Sequence, residues 1–166
     1  MKRLILTRHA KSSWSEPGLA DRDRPLNGRG RAAAESIGRW LAKNGHDPQQ
    51  VLSSPALRCR ETWARIAAQL PDAPQAEPVE RLYLAAPEDM LATLRGASAD
   101  RVLMLGHMPG IGALARSLRR DPPPRHGVFE KYPTGATLIL DFATRSWAEL
   151  LPGTGKLVAW VTPRAL

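Results

Sequence analysis

The sequence predicts an α/β protein: a single domain over residues 1–166, built as a three-layer α/β/α sandwich with a mostly parallel sheet. Three observations predict it. Short apolar runs that suit buried strands recur at residues 3–7, 50–53 and 101–105. Stretches with helical apolar spacing lie between them, and strands alternating with helices imply a parallel sheet. A length of 166 residues fits one domain and can bury a core without disulfides.

The elements follow in order. Residues 3–7 form the first strand, with Arg8-His9 at its end. Residues 11–27 are polar and rich in Asp, Ser, Pro and Gly, and loops of that length are often functional. Residues 28–44 carry Ala33, Ile37, Trp40 and Leu41 at helical spacing, with Gly45 as the stop. After the strand at 50–53, Ser54-Pro55 starts a helix over residues 56–70, because proline is welcome in a first turn; Pro71 ends it. Residues 79–83 read as a short edge strand. Pro87-Glu88-Asp89 opens a third helix, with acids where the dipole favours them. The strand at 101–105 runs into Gly106-His107, and a helix follows over 111–118. The run Asp-Pro-Pro-Pro-Arg-His-Gly at 121–127 can be neither helix nor central strand. Residues 137–142, 146–151 and 157–161 are expected to close the sheet as three strands, the first two joined by a hairpin turn at 143–145.

Composition narrows the partners. There are 24 Lys+Arg against 16 Asp+Glu, a formal charge of +8, and 19 of the basic residues are arginine. Guanidinium binds phosphate oxygens in pairs, so this bias suits anionic ligands. The cations are scattered from Lys2 to Arg164, with no zinc-ligand spacing and no aromatic RNA-binding signature, and nucleic acid is not expected as a partner. No apolar run approaches the roughly 18 residues of a membrane span. The basic N-terminus holds only Leu4-Ile5-Leu6 before polar residues return, short of the roughly 7–15 apolar residues of a signal peptide. The single Cys59 allows no internal disulfide. The expectation is a cytoplasmic monomer that touches no membrane.

In open α/β sheets, ligands bind beyond the carboxyl ends of the strands. Here strand one ends in Arg8-His9, strand two leads through Ser53-Ser54-Pro55 to Arg58, and strand three ends in Gly106-His107. If these strands are parallel neighbours, two arginines and two histidines converge on one rim. Two guanidiniums can clamp a phosphoryl group, one imidazole can attack phosphorus, and the second can stabilise the developing charge. No metal and no cofactor are called for, since the arginines supply the counter-charge. Each residue alone has a plainer reading, a buried histidine or a solvated arginine; both histidines directly following strands is what favours the chemical one.

The same residues resemble a known family. Leu6-Thr7-Arg8-His9-Ala10-Lys11 is similar to the Arg-His-Gly signature of the histidine phosphatase superfamily, with Ala10 in the glycine's place. Ser54-Pro55-Ala56-Leu57-Arg58 with Glu61-Thr62 resembles its Ser-Pro-x-x-Arg-x-x-x-Thr stretch, and Leu105-Gly106-His107-Met108-Pro109 its second-histidine motif. Arg24-Pro25-Leu26-Asn27-x-x-Gly30 resembles the segment that caps the helix after the first loop. The short length, the Arg-His-Ala-Lys-Ser-Ser-Trp run and Tyr132-Pro133-Thr134-Gly135 look like the SixA-like phosphohistidine phosphatase branch.

The resemblance implies a compact phosphoglycerate mutase-like fold, His9 as nucleophile, and Arg8, Arg58 and His107 as the phosphate pocket. Ser15 falls where longer members have a phosphate-contacting Asn. The family's glutamate acid position is held by Leu84, so the general acid is open among Glu80, Glu88, Glu16 and Asp21. The expected partner is a phosphorylated protein carrying phosphohistidine, or else a small phosphorylated molecule acted on by a phosphomonoesterase or mutase-like enzyme. A non-catalytic phosphate- or RNA-binding module is disfavoured by intact His9 and His107. Gly110-Ile111-Gly112-Ala113-Leu114-Ala115 fits a dinucleotide fingerprint, but Pro122-Pro123-Pro124 falls near where the ribose-binding acid is needed. Cys59 reads as a helix-packing residue.

Overall fold

The computed structural model describes residues 1–166. Six strands form one sheet: β1 (Lys2–Arg8), β2 (Gln50–Ser53), β3 (Ala76–Pro78), β4 (Arg101–Gly106), β5 (Thr137–Phe142) and β6 (Lys156–Val161), in the spatial order β3-β2-β4-β1-β5-β6. The β3-β2, β2-β4 and β4-β1 pairings are parallel, while β1-β5 and β5-β6 are antiparallel. The α/β, mostly parallel prediction therefore holds, with an antiparallel edge added by the last two strands.

Helices α1 (Gly28–Lys43) and α2 (Leu57–Ala67) cover one face of the sheet; α3 (Pro87–Arg95) and α4 (Gly110–Leu118) cover the other. The strand period of two sorts the core. Leu4 and Leu6 of β1 pack with Met90, Leu94, Ile111 and Leu114, while Ile5 packs with Ile37, Leu41, Trp63 and Ile66. Because both sheet faces are buried, the inner strands read as unbroken apolar runs, which is why they were visible in the sequence. No helix is long and apolar enough to cross a membrane.

Two expected strands are absent. Residues 146–151 form no strand: Trp147–Glu149 is a 3₁₀ turn capped by Ser146 Oγ, which accepts from the Ala148 amide at 3.0 Å. Fully buried Trp147 drives this, since its Nε1–H reaches the Ala99 carbonyl at 2.6 Å and its ring meets Phe142 edge-on. Residues 79–83 are likewise a 3₁₀ turn at Glu80–Leu82, and the edge strand lies just before it at Ala76–Pro78. Pro78 lacks an amide proton and is tolerated because β3 is an edge. Leu82 then turns inward and is buried beside Met90.

The helix after the first loop is positioned by close backbone contact. Asn27 caps α1 by accepting from the Gly30 amide at 2.8 Å, and its own amide donates to the Lys11 carbonyl. A Cβ on Gly30 would sit 2.1 Å from that carbonyl, so only glycine lets α1 approach the strand-one loop. The 11–27 loop is itself structured, with a Ser12–Leu26 antiparallel bridge and a 3₁₀ turn at Asp21–Asp23.

Candidate active site

β1 and β4 are hydrogen-bonded neighbours in a register that sets Arg8 opposite Gly106, so His9 and His107 leave adjacent strands at the same level. Their rings stand 5.4 Å apart, centroid to centroid. β2 flanks β4 on its other side, and the Ser54 amide donates to the Leu105 carbonyl, which brings the start of α2 to the same rim. Four predicted residues, Arg8, His9, Arg58 and His107, thus converge. Arg8, His9 and Arg58 line a cavity of about 310 Å³; buried His107 lies behind Arg58.

The spacing of Arg58 and Thr62 has a direct structural use. One helical turn apart on α2, they link to each other through Thr62 Oγ1, which donates to the Arg58 carbonyl at 2.7 Å. The same oxygen accepts from the Ala10 amide at 2.9 Å, fastening the residue after His9 to α2. Glu61 adds a second fastening by accepting from the Leu26 amide.

The hydrogen bonds fix the tautomers. His9 Nδ1 lies 2.7 Å from the Ala10 carbonyl. A carbonyl can only accept, so Nδ1 carries the proton and Nε2 keeps its lone pair. His107 Nδ1 lies 3.3 Å from Arg58 Nη2, which can only donate; its proton is therefore on Nε2, 2.7 Å from Ser54 Oγ. Burial first, then the Arg58 charge, lowers His9 to a pKa of about 3 and His107 to about 4. Both rings are neutral near pH 7, as a nucleophilic imidazole must be.

The shifts make stability depend on pH. Folded-state values below the ordinary 6.5 mean that the unfolded chain binds more protons in between. The stability from burying neutral rings is complete above about pH 6.5 and is lost as pH falls toward about 4 and then about 3. NMR titration should find both imidazoles still neutral at about pH 5 in the ligand-free protein, with denaturant midpoints declining on acidification. Titration of both rings near 6.5 would contradict this electrostatic account.

Positive charge on the rim is only partly compensated. Burial, with the Arg58 charge added, presses Arg8 below the usual guanidinium value. Arg8 Nη1 donates to the Tyr132 carbonyl, yet its buried Nε has no protein acceptor. Arg58 donates to the Asp21 carbonyl at 2.8 Å and to Asp21 Oδ2 at 3.0 Å. Arg24, missed as a site residue from sequence, also lines the pocket, 8% exposed. It is held by Asp21, by Ser12 Oγ at 2.6 Å and by the Trp14 ring beneath its guanidinium. Lys11, Ser12, Trp14 and Thr134 complete the lining. The signal for Arg24 was its place in the Arg-Pro-Leu-Asn segment that docks against strand one.

Ser15 is not brought to the pocket. It is exposed, and its hydroxyl and amide turn back on Ser13 Oγ, while Ser12 takes the position on the wall. Of the four candidate acids, Glu80 is exposed and paired with Arg22, and Glu16 and Glu88 are solvent-facing. Asp21 alone reaches the site. Tyr83 Oη, Arg58 and Arg24 hold its carboxyl at about 2, so it is an ionised acceptor with no proton to give. Leu84 is exposed with φ +48°. Cys59 is buried and its thiol is pushed up to about 12, which leaves it inert. No group of three or more His, Cys, Asp or Glu is placed to hold a metal ion.

The family model described as histidine phosphatase superfamily (branch 1) matches residues 4–83, the N-terminal stretch that carries Arg8, His9 and Arg58. A structure described as a putative phosphohistidine phosphatase SixA from Nakamurella multipartitia superposes with a TM-score of 0.79 at 30% identity, covering 98% of this chain and 96% of that one. This chain belongs to the histidine phosphatase superfamily. A putative phosphohistidine phosphatase SixA from Agrobacterium tumefaciens matches equally well in fold, with a TM-score of 0.79, 26% identity and 98% of each chain covered. An uncharacterized protein of Mycobacterium tuberculosis is 38% identical over 163 residues, 95% of this chain and 99% of its own length. The SixA-like fold of a histidine phosphatase thus extends over the whole chain, including the stretch after residue 83 that supplies His107.

Proposed function

We propose that this protein is a metal-independent phosphohistidine phosphatase that acts on a phosphoprotein. In this reading His9 Nε2 attacks phosphorus in line. A P–N bond to His9 forms as the P–N bond of the substrate breaks, and the departing imidazole nitrogen takes a proton from solvent. Water then attacks the phosphorylated His9, releasing inorganic phosphate and restoring the free imidazole. Arg8, Arg58 and Arg24 hold the equatorial oxygens, and neutral His107 accepts from Arg58 at Nδ1 and so helps orient that guanidinium toward them. The first step exchanges one phosphoramidate for another and is close to isoenergetic.

The observation that carries this reading is the lack of a protonated carboxyl beside a complete nucleophile and clamp. Asp21 is held ionised, and the Tyr83 hydroxyl spends its proton on Asp21. Phosphomonoester cleavage expels an alkoxide and gains roughly 10²–10⁴-fold from a positioned donor. An imidazole leaving group is far less basic and needs no such donor. The 310 Å³ pocket would also admit a small phosphorylated metabolite, which keeps a phosphomonoesterase as the alternative. The deciding measurement is kcat/KM on N-phosphohistidine against phosphoserine in one matched peptide. A preference for phosphohistidine of roughly 10²-fold or more is expected. A ratio near one, or favouring serine, overturns the reading in favour of a general phosphomonoesterase.

A further inference from the structure

Beside the His9 pocket lies a larger groove of about 980 Å³. One wall is the face of α1 that carries Arg29, Ala32 and Ala33; the other is built from the segment before β5 and the turn after β6. Lys11 and Thr134 line both cavities, so the groove opens onto the His9 pocket.

Its charge is one-sided. Lys11, Arg29, Lys131 and Arg164 line it, and no carboxylate does. None of these four cations has an ion-pair or side-chain hydrogen-bond partner. Of the nearby acids, Glu35 of α1 pairs with Arg65 and Asp21 with Arg58 and Arg24, while Glu130, beside Lys131, is exposed and does not line the groove. Between the cations the surface is made of small side chains such as Ala32, Ala33 and Ala165, which let an extended backbone lie close.

We propose that this groove seats an acidic peptide segment flanking the phosphorylated residue of the substrate protein, while the phosphoryl group enters the His9 pocket; this rests on the phosphatase reading above. The volume suits it, since a groove three times the size of the phosphate pocket has room for chain beyond the phosphoryl group. Four unpartnered cations select negative charge along that chain and steer its approach. A single-stranded nucleic acid would bring the same charge, but such strands are held by stacking on aromatic side chains, and no aromatic residue lines the groove.

The test compares two phosphohistidine peptides that differ only in flanks, Glu/Asp in one and Gln/Asn in the other. The enzymes are the native chain and an Arg29→Gln, Lys131→Gln, Arg164→Gln triple variant, whose replaced side chains are all exposed. At about 0.01 M salt the native enzyme should prefer the acidic flanks in kcat/KM by at least about fivefold. The ratio should fall to near one in the variant, and also at about 1 M salt, where charges are screened beyond about 3 Å. Fluorescence anisotropy of the unphosphorylated acidic peptide supplies an arm independent of catalysis. Salt-sensitive binding by the native chain but not the variant supports the groove even if neither phosphopeptide turns over, a result that would sink only the reaction. A ratio near one where turnover occurs overturns the proposal, as does absent peptide binding where it does not. Displacement of the peptide by an unstructured RNA at lower concentration than by the peptide itself also overturns it, and assigns the groove to nucleic acid.

Discussion

Replacing His9 with alanine is expected to lower turnover by roughly 10⁴–10⁶-fold while the fold survives. The size follows from the role proposed for Nε2: without it no covalent intermediate forms, and water must attack a phosphoryl group that is only held. The fold survives because His9 makes its one side-chain hydrogen bond to the neighbouring Ala10 carbonyl, and the fastening of Ala10 to Thr62 is a backbone bond that alanine keeps. Removing a ring whose imidazolium form is disfavoured by burial should also make the protein less sensitive to acid. Two measurements check it: rapid-quench mass spectrometry, which should find acid-labile phosphate on His9 of the native chain alone, and circular dichroism of the variant. Undiminished turnover in His9→Ala would remove the covalent mechanism altogether.

Arg58→Ala should cost roughly 10²–10³-fold in kcat/KM, the range for losing one fixed donor to developing charge. Two further effects act in the same direction. Asp21 would lose a guanidinium that helps hold it ionised, leaving a carboxylate beside the pocket with less compensation. His107 would lose the donor at its Nδ1 and with it a constraint on its tautomer. Arg58→Lys should recover little, because an ammonium cannot span Asp21 and a phosphoryl oxygen as a planar fork does. A double variant, Arg58→Ala with Asp21→Asn, separates the terms: recovery relative to Arg58→Ala measures the repulsion by Asp21. Arg58→Ala at native rates would take that side chain out of the site.

What was legible in the sequence divides along physical lines. Arg8, His9 and His107 could be placed because each follows a buried apolar strand, and parallel strands deliver their carboxyl ends to one edge. Arg58 followed because one helical turn is a fixed distance. Arg24 was not legible as a site residue, and Asp21 was legible only as one of four candidate acids, not as the ionised partner of Arg58. Their positions depend on how the 11–27 loop folds back through the Ser12–Leu26 bridge, and a loop carries no periodicity from which to read it. Ser15 failed for the same reason: a local turn onto Ser13, rather than alignment along the chain, decides which serine meets the pocket. Residues 146–151 misled differently. Trp147 and Leu150 look like strand residues by hydrophobicity, but each is buried against elements distant in sequence, and a capped turn serves that burial better than a ladder.

Thr62 ties together two residues that must keep their distance. Its hydroxyl joins the backbone after His9 to the backbone of Arg58, so the attacking nitrogen and the Arg8 and Arg58 arms of the clamp ride on one unit made of β1 and α2. The loop carrying Asp21 and Arg24 is joined to that unit by Asp21 on Arg58, by the Leu26 amide on Glu61 and by the buried Leu26 side chain, which shares a core with Ile5 and Ile66. A shift of the loop would carry Arg24 off the phosphoryl oxygens and loosen Asp21 from Arg58, while the spacing of His9 and the Arg58 backbone stays constant. The nucleophile is thus mechanically separate from one arm of the clamp, and variation in the loop can retune how the phosphoryl group is gripped while the attacking nitrogen keeps its place.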